Sequence, residues 1–468
     1  MIFLEKTVKF FLATMWQFYS EEYIIDREKH FTRKGKLTFR EYISFILYNK
    51  GRNNDIEITE FCKVFLKKKF ETISSQAVGK QRMFIKPELF ENLYIKFINT
   101  IYRKHKHFSD FKGYIVATCD GSIFQLPNIT LTREEFNILP DDIFKKHRVQ
   151  ARVSGMLDVN SNLMLVTKIV EKNVKETTLA MQHLDDLKKR INIKKFIAIY
   201  DRAYKSVELM LHTEQLESKF LIRLPLNTFS KEIRAIKGND KIISINLTNK
   251  YIRGFERENL KKIARQQGRL EIRIVEIRLL NGCIQRLATN LSPEEFSIGD
   301  IKELYAKRWN IETGFKKLKS QILIERFSGY RRTIIEQDFY SSIFFYNLAT
   351  AIQWDAQQKM RIKKRKPDME YIYKPCFSTI VGNMYVYLED VLSGDYKSVS
   401  KVIDFLIEQG RKLYQQKSVL LLKQMSFFKN LLDCFLISYW GKNCEQKKPK
   451  RVAKNPTNKH PGSPKVTH

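Results

Sequence analysis

No apolar run in this sequence approaches the roughly 18–20 residues that a membrane-spanning helix needs. The start, MIFLEKTVKFFLATMWQFYSEEY, lacks the small-residue cleavage site of a secretory signal, so a membrane partner is not expected. The six cysteines, Cys62, Cys119, Cys283, Cys376, Cys434 and Cys444, show neither Cys-x2-Cys nor Cys/His ligand spacing. That pattern fits reduced thiols of an intracellular protein and argues against zinc. There is no internal repeat and no glycine-rich phosphate loop. Acid is the scarce charge: 51 Asp and Glu stand against 84 Lys and Arg, a net of +33. An excess this large, spread through the chain, calls for a polyanionic partner, with nucleic acid ahead of a membrane surface. With 468 residues, 43% of them hydrophobic and 12% aromatic, the chain can fill the cores of about three domains at about 150 residues each.

Residues 1–107 read as a helical region, from the apolar periodicity of TFREYISFILYNK and ELFENLYIKFINTIY. Between those helices a Thr-Ile-Ser-Ser cap signal precedes a short basic helix in SSQAVGKQRMF, which has the look of a DNA-reading helix or of an ordinary surface helix. From residue 108 to 227 the pattern changes. GYIVATCDGS is an apolar strand ending at Asp120, and QARVSGMLDV and LMLVTKIVEK form a hairpin across NSN. KETTLAMQHLDDLKKR is a helix, KKFIAIYD a strand ending at Asp201, YKSVELMLHTEQ a helix and SKFLIRL a strand. This order gives an α/β fold, a mixed sheet flanked by helices. Residues 228–292 read as a β-rich insertion, carrying DKIISINLTN, LEIRIVEIRLL and CIQRLATNL with no helical pattern of note between them. Residues 293–358 hold an amphipathic helix and the long apolar helix IIEQDFYSSIFFYNLATAIQW. Residues 359–468 form a C-terminal region with a basic, proline-containing tail, either a solubilising tail or one that settles on a phosphate backbone.

YAKRWNIETGFKKLK, Tyr305 to Lys319, has five basic side chains and a single carboxylate, Glu312. At about 100° per residue, Leu304, Ile311, Phe315, Leu318 and Ile322 share one arc, and Tyr305, Arg308, Glu312 and Lys319 fall in a second, about 60° wide. Taken alone, Arg308 and Glu312 are an ordinary i,i+4 ion pair, the Asp120–Gly pair a turn signal, and Asp201 a helix N-cap. Taken together, they suggest two aspartates side by side at the ends of parallel strands, with Glu312 brought over them. Three carboxylates so close repel unless a cation holds them, and hard oxygen ligands suit Mg²⁺ or Mn²⁺, which activates water and clamps the oxygens of a phosphate.

TCDGSIFQLP, IYDRAYKS and the pattern Y-x2-R-x3-E-x6-K at Tyr305, Arg308, Glu312 and Lys319, followed by RFSGYRRTIIEQDFYSSIFFYNLA, resemble the bacterial insertion-sequence transposases of the DDE type that bear the Y-R-E-K signature. TRKGKLTF and SSQAVGKQRMF extend the resemblance over about residues 32–355. It implies a ribonuclease-H-like core with a β-rich insertion before the Glu helix, a helical N-terminal DNA-binding region and a helical, basic C-terminal region. It also implies two divalent metal ions on Asp120, Asp201 and Glu312, and DNA contacts from Tyr305, Arg308 and Lys319. Trp309 resembles an aromatic that packs by the cleaved DNA end, and reads equally as a core residue. Arg148 and Arg152 of KKHRVQARVSG match a strand near the active site with a DNA-contact role. Some relatives stack a flipped base on a Trp of the insertion. This chain has no Trp between Trp16 and Trp309, which leaves another aromatic such as Phe296. The implied activity is cleavage at terminal inverted repeats and strand transfer into target DNA by a homodimer or larger synapse, through a hairpin intermediate. The implied setting is the bacterial cytoplasm, at the nucleoid. A DNA-binding relative without catalysis and a structure-selective nuclease are the rival readings; binding without product marks the first, cutting without joining the second.

Overall fold

The apolar run after Gly113 folds as β1 (Ile115–Gln125), and the sheet is organised around it. In the computed structural model of the chain, β1 pairs antiparallel with β2 (Gln150–Asp158) and parallel with β4 (Phe196–Tyr200). β2 turns back into β3 (Met164–Glu171) as the expected hairpin, and β5 (Lys219–Leu224) runs parallel to β4 on its far side. The order β3-β2-β1-β4-β5, with the first three antiparallel and the last two added in parallel, is a ribonuclease-H-like mixed sheet. The structure describes residues 2–418 except 19–20, 34, 50, 68–72, 106–107, 139–147, 192, 280–281, 364–370 and 413. The terminal basic tail lies outside these residues.

β1 is longer than its apolar run. The sequence ends the strand at Asp120, yet Asp120 pairs with Gly155 and the ladder continues to Gln125 opposite Gln150. The Asp120–Gly121 pair is therefore strand and not turn: β2 supplies backbone partners after β4 has stopped doing so, which decides the matter over local turn preference.

The segment 228–292 also differs from expectation in how it is attached. β6 (Asp240–Asn246), β7 (Arg269–Arg278) and β8 (Ile284–Thr289) extend the same sheet, with β8 antiparallel to β5, giving eight strands in the order β3-β2-β1-β4-β5-β8-β7-β6. Between β6 and β7 the basic stretch forms a helix, Glu258–Gln267, which ends at Gly268 with φ +68°. Its periodicity is faint because only Leu260, Ile263 and Ala264 of its ten residues are apolar.

Helices Glu5–Thr14, Phe39–Tyr48, Asn54–Val64, Ser75–Arg82 and Glu88–Lys104 form the N-terminal region, and helices Arg332–Lys363, Phe377–Val386 and Tyr396–Lys412 the C-terminal one. One continuous apolar core runs from Leu4 to Ile407 and joins both to the sheet within the unit Met1–Gln416. Ser74 caps the short basic helix through Ala77 N–H, as its sequence suggested. Arg82 of that helix points inward: its Nε donates to Gln337 Oε1 at 3.0 Å, Nη1 to Ser328 Oγ at 2.5 Å and Nη2 to Asp338 Oδ1 at 2.6 Å. Its charge serves the core, and Gln76 and Lys80 remain on the exposed side.

Candidate active site

Pairing from Ile115 with Phe196 to Thr118 with Ile199 ties β1 to β4. Carried on by two residues, that register sets Asp120 level with Asp201, on strands about 4.8 Å apart. Side chains alternate along a strand, so Val116, Thr118 and Asp120 share one side of the sheet, and Ile197, Ile199 and Asp201 share a side in the same way. Val116, Ile197 and Ile199 pack in one cluster with Ile301, Leu304 and Tyr305. Both aspartates thus emerge on the side that helix Ile298–Ala306 covers.

That helix begins with a capping box, in which Ser297 Oγ accepts from Asp300 N–H and Asp300 accepts from Ser297 N–H. The segment stays helical to Ile322, but its winding is not uniform. It tightens to a 3₁₀ turn at Lys307–Trp309, resumes as an α-helix at Asn310–Lys317, widens to a π-turn at Leu318–Ile322, and stops at Leu323 with φ +61°. The even wheel is corrected accordingly. Leu304 and Tyr305 pack in one apolar cluster, while Ile311, Phe315, Leu318 and Ile322 pack in the other. Tyr305 is buried, and the 3₁₀ turn that follows keeps it on the side of Arg308, with which it interacts electrostatically. Gly314 sets the approach of the helix to the sheet: a Cβ there would stand 2.7 Å from Leu157 Cδ1. Phe315 adds an edge-to-face contact with Phe124 of β1 at 6.4 Å.

At the centre lies Arg308, 7% exposed. Its Nη1 is 3.7 Å from Asp120 Oδ2 and its Nη2 is 3.1 Å from Glu312 Oε1, so one guanidinium spans two of the three acids. Its plane rests over the half-buried Trp309 ring at 4.4 Å, and its carbonyl accepts from Thr118 Oγ1 at 3.4 Å. Arg308 Nε is buried with no hydrogen-bond partner among the described residues. Burial pushes the Asp120 carboxyl up to about 7; nearby Asp201 and Glu312 add to the rise, while Gly121 N–H and Arg308 oppose it. Asp201 Oδ1 accepts from Ala203 N–H at 2.7 Å, so the N-cap reading is realised in the same residue that stands level with Asp120.

The other residues singled out lie farther out. Lys319 Nζ donates to Ile123 O at 2.6 Å, near Glu325, and lies over the Phe124 ring. Arg148 is exposed just before β2. Arg152 is tied to Glu176 and, through Nε, to Lys172 O at 3.1 Å. Sequence reading missed Glu176, which packs behind the site: a Cβ on Gly121 would meet its Oε1 at 2.8 Å. It opens a helix after a turn, and no local signal ties it to β1. Phe296 is not available to a base. It is fully buried against Phe111 and Tyr114, with Lys112 over its ring.

Among the described residues no group of three His, Cys, Asp or Glu side chains stands close enough to hold a metal ion. The donor types fit a hard divalent cation: Asp120 and Glu312 are oxygen ligands that share one buried positive charge, the Arg308 guanidinium, and Asp201 stands level with Asp120.

The family model of the transposase DDE domain matches residues 129–348. This span is a little under half of the chain; it takes in Asp201 and the whole of Tyr305–Lys319, and begins after Asp120. Among solved structures, the chain is similar to the piggyBac transposase in a synaptic complex with hairpin DNA, determined by cryo-electron microscopy. The TM-score is 0.41 and the identity 11%, over 86% of this chain and 85% of that one. No curated protein matches it in sequence. The segment that supplies Asp201, Tyr305, Arg308, Glu312 and Lys319 thus lies within the match to the transposase DDE domain.

Proposed function

We propose that the chain is a DNA transposase of the bacterial insertion-sequence type with the Y-R-E-K signature, acting on duplex DNA at the nucleoid. It binds the terminal inverted repeats of its element as a homodimer or larger synapse, cleaves at their ends, and joins the freed 3′-OH groups to target DNA, with a hairpin intermediate during excision. The observation that carries this reading is the β1–β4 register that brings Asp120 level with Asp201, with Glu312 linked to Asp120 through one guanidinium.

Asp120, Asp201 and Glu312 would hold Mg²⁺ or Mn²⁺, two ions per site; bound there, such ions lower the pKa of water and steady the attacking and leaving oxygens of a phosphodiester. The protein's own groups position the DNA. Arg308 offers a planar donor set suited to a phosphate, backed by Trp309. Lys319, fixed on the carbonyl of Ile123, lies about 10 Å along β1 from Asp120 and meets a neighbouring phosphate. Arg148 and Arg152 extend the contact along β2, and buried Tyr305 holds the helix that presents Arg308.

The test uses labelled DNA carrying the inverted repeats that flank the gene. Cleavage at the repeat ends and joining to a plasmid by the wild type in Mg²⁺, lost by about three orders of magnitude in Asp120→Ala and Glu312→Ala, is the expected result. Undiminished cleavage by Asp120→Ala would remove the triad from the reaction.

A further inference from the structure

Resting on the transposase reading above, we infer that Arg308 stands in for the catalytic cation in the DNA-free protein, so that the carboxylates take up divalent metal only after a DNA phosphate has drawn the guanidinium away. The site binds DNA first and metal second.

Three observations carry this order. The guanidinium bridges Asp120 and Glu312, at 3.7 and 3.1 Å, and so occupies the ground a cation shared by those acids would need. The described residues nowhere bring three ligating side chains close enough for a metal ion, so the carboxylates as they stand are arranged around Arg308. Arg308 is also incompletely satisfied, with a buried Nε that has no partner among the described residues. Leaving a buried donor unbonded is unfavourable, and a phosphate that accepts from Nε and one terminal nitrogen together would relieve it.

The backbone allows the exchange. Thr118 Oγ1 holds the Arg308 carbonyl against β1, so the main chain stays in place while the side chain turns. The Trp309 face, 4.4 Å from the guanidinium, gives the charge an aromatic surface to move across. When the guanidinium leaves, Asp120 and Glu312 lose the positive charge they share, with Asp201 level with Asp120, and a divalent ion is a group that restores it. The consequence is protective: without a phosphate in place the site does not assemble its metal, and solution water is not activated without purpose.

The test measures Mn²⁺ binding to the full-length, DNA-free protein by electron paramagnetic resonance and titration calorimetry, with no turnover involved. The wild type should show no saturable site that depends on Asp120. Arg308→Gln should gain one that is tighter by about tenfold or more, since a positive charge a few ångströms away has been removed, and Arg308→Gln with Asp120→Asn should lose it. Wild type mixed with an uncleavable terminal-repeat duplex should gain the same Asp120-dependent site, which keeps the test independent of how well the variant folds. Tight Asp120-dependent Mn²⁺ binding by the DNA-free wild type, equal to that of Arg308→Gln, would overturn the inference and leave the transposase reading standing. No Asp120-dependent site in any form, even on DNA, would overturn both.

Discussion

Arg82 and Arg308 are both buried arginines facing acids, in two regions of the same core, and they are held very differently. Arg82 locks the short N-terminal helix to helix Arg332–Lys363, and each of its three guanidinium nitrogens donates at 2.5–3.0 Å, to Gln337, Ser328 and Asp338. Asp338 is in turn completed by Ser328, through both its N–H and its hydroxyl at 2.7 Å. Arg308 makes one bond at 3.1 Å and one long ion contact at 3.7 Å, and leaves Nε unpaired. A closed network fixes one geometry; an open one keeps a donor in reserve. The difference separates a guanidinium closed within the fold from one that leaves a donor open.

The comparison breaks first, and with the largest effect, at Arg82. Arg82→Met leaves Asp338 buried without its charge partner and should cost about 3–5 kcal/mol, read by urea denaturation of the full chain. A loss below about 1 kcal/mol would mean that the network is not what joins the two helical regions.

The acid beside Arg308 gives the next effect. The Asp120 carboxyl is raised from its ordinary 3.8 to about 7, first by burial, so the folded state holds this proton more tightly than the unfolded chain does. Its contribution to stability is fully present below about pH 4 and is lost as pH rises through 7. Discounted for partial exposure, the decline is about 2–4 kcal/mol. Asp120→Asn should remove that part of the pH dependence in metal-free buffer. Asp355 is also raised to about 7, mainly by burial, but it is present in both proteins and cancels in the difference. Parallel curves for wild type and Asp120→Asn would show that the carboxyl is well solvated.

What was legible in the sequence follows from what is local. Continuous apolar runs such as KKFIAIYD announce buried strands, and both aspartates stand at positions set by those runs. The extension of β1 past Asp120 was not legible, because Gly121 to Gln125 are strand only through pairing with Ser154 to Gln150 of β2, a partner distant in sequence. Nor was the joining of residues 240–289 to the main sheet, since an antiparallel edge strand looks the same in any sheet. The i,i+4 spacing of Arg308 and Glu312 was visible. The reach of Arg308 to Asp120 was not, for it depends on a 3₁₀ turn at Lys307–Trp309 that no side-chain pattern announced. Burial of Phe296 was likewise hidden, because aromatics that pack and aromatics that stack on bases are the same residues.

A smaller effect sharpens the contrast from the backbone. Gly314→Ala gains helix propensity of about 1 kcal/mol, yet its methyl would stand 2.7 Å from Leu157 Cδ1 and 3.3 Å from Tyr346 Oη. The overpacking should outweigh the gain and leave a net loss of about 1–2 kcal/mol, together with weaker cleavage as Glu312 is lifted from β1. A stabilised and fully active Gly314→Ala would show that the helix has room to spare.

The smallest change in stability is expected at Arg308 itself, and it decides the comparison. Removing a buried arginine normally strands its acid, as at Arg82. Here Asp120, already raised to about 7, can take up a proton near neutral pH, and the Glu312 side chain is 42% exposed and keeps its water. Neither acid is left as an uncompensated buried charge, and the unpaired Nε is removed with the side chain. Arg308→Gln should therefore change unfolding free energy by less than about 1 kcal/mol at pH 6, while end cleavage falls by about two orders of magnitude as a phosphate contact is lost. A loss of stability as large as that of Arg82→Met would place Arg308 among the structural arginines, and the open geometry around it would then be a feature of the fold and not of its chemistry.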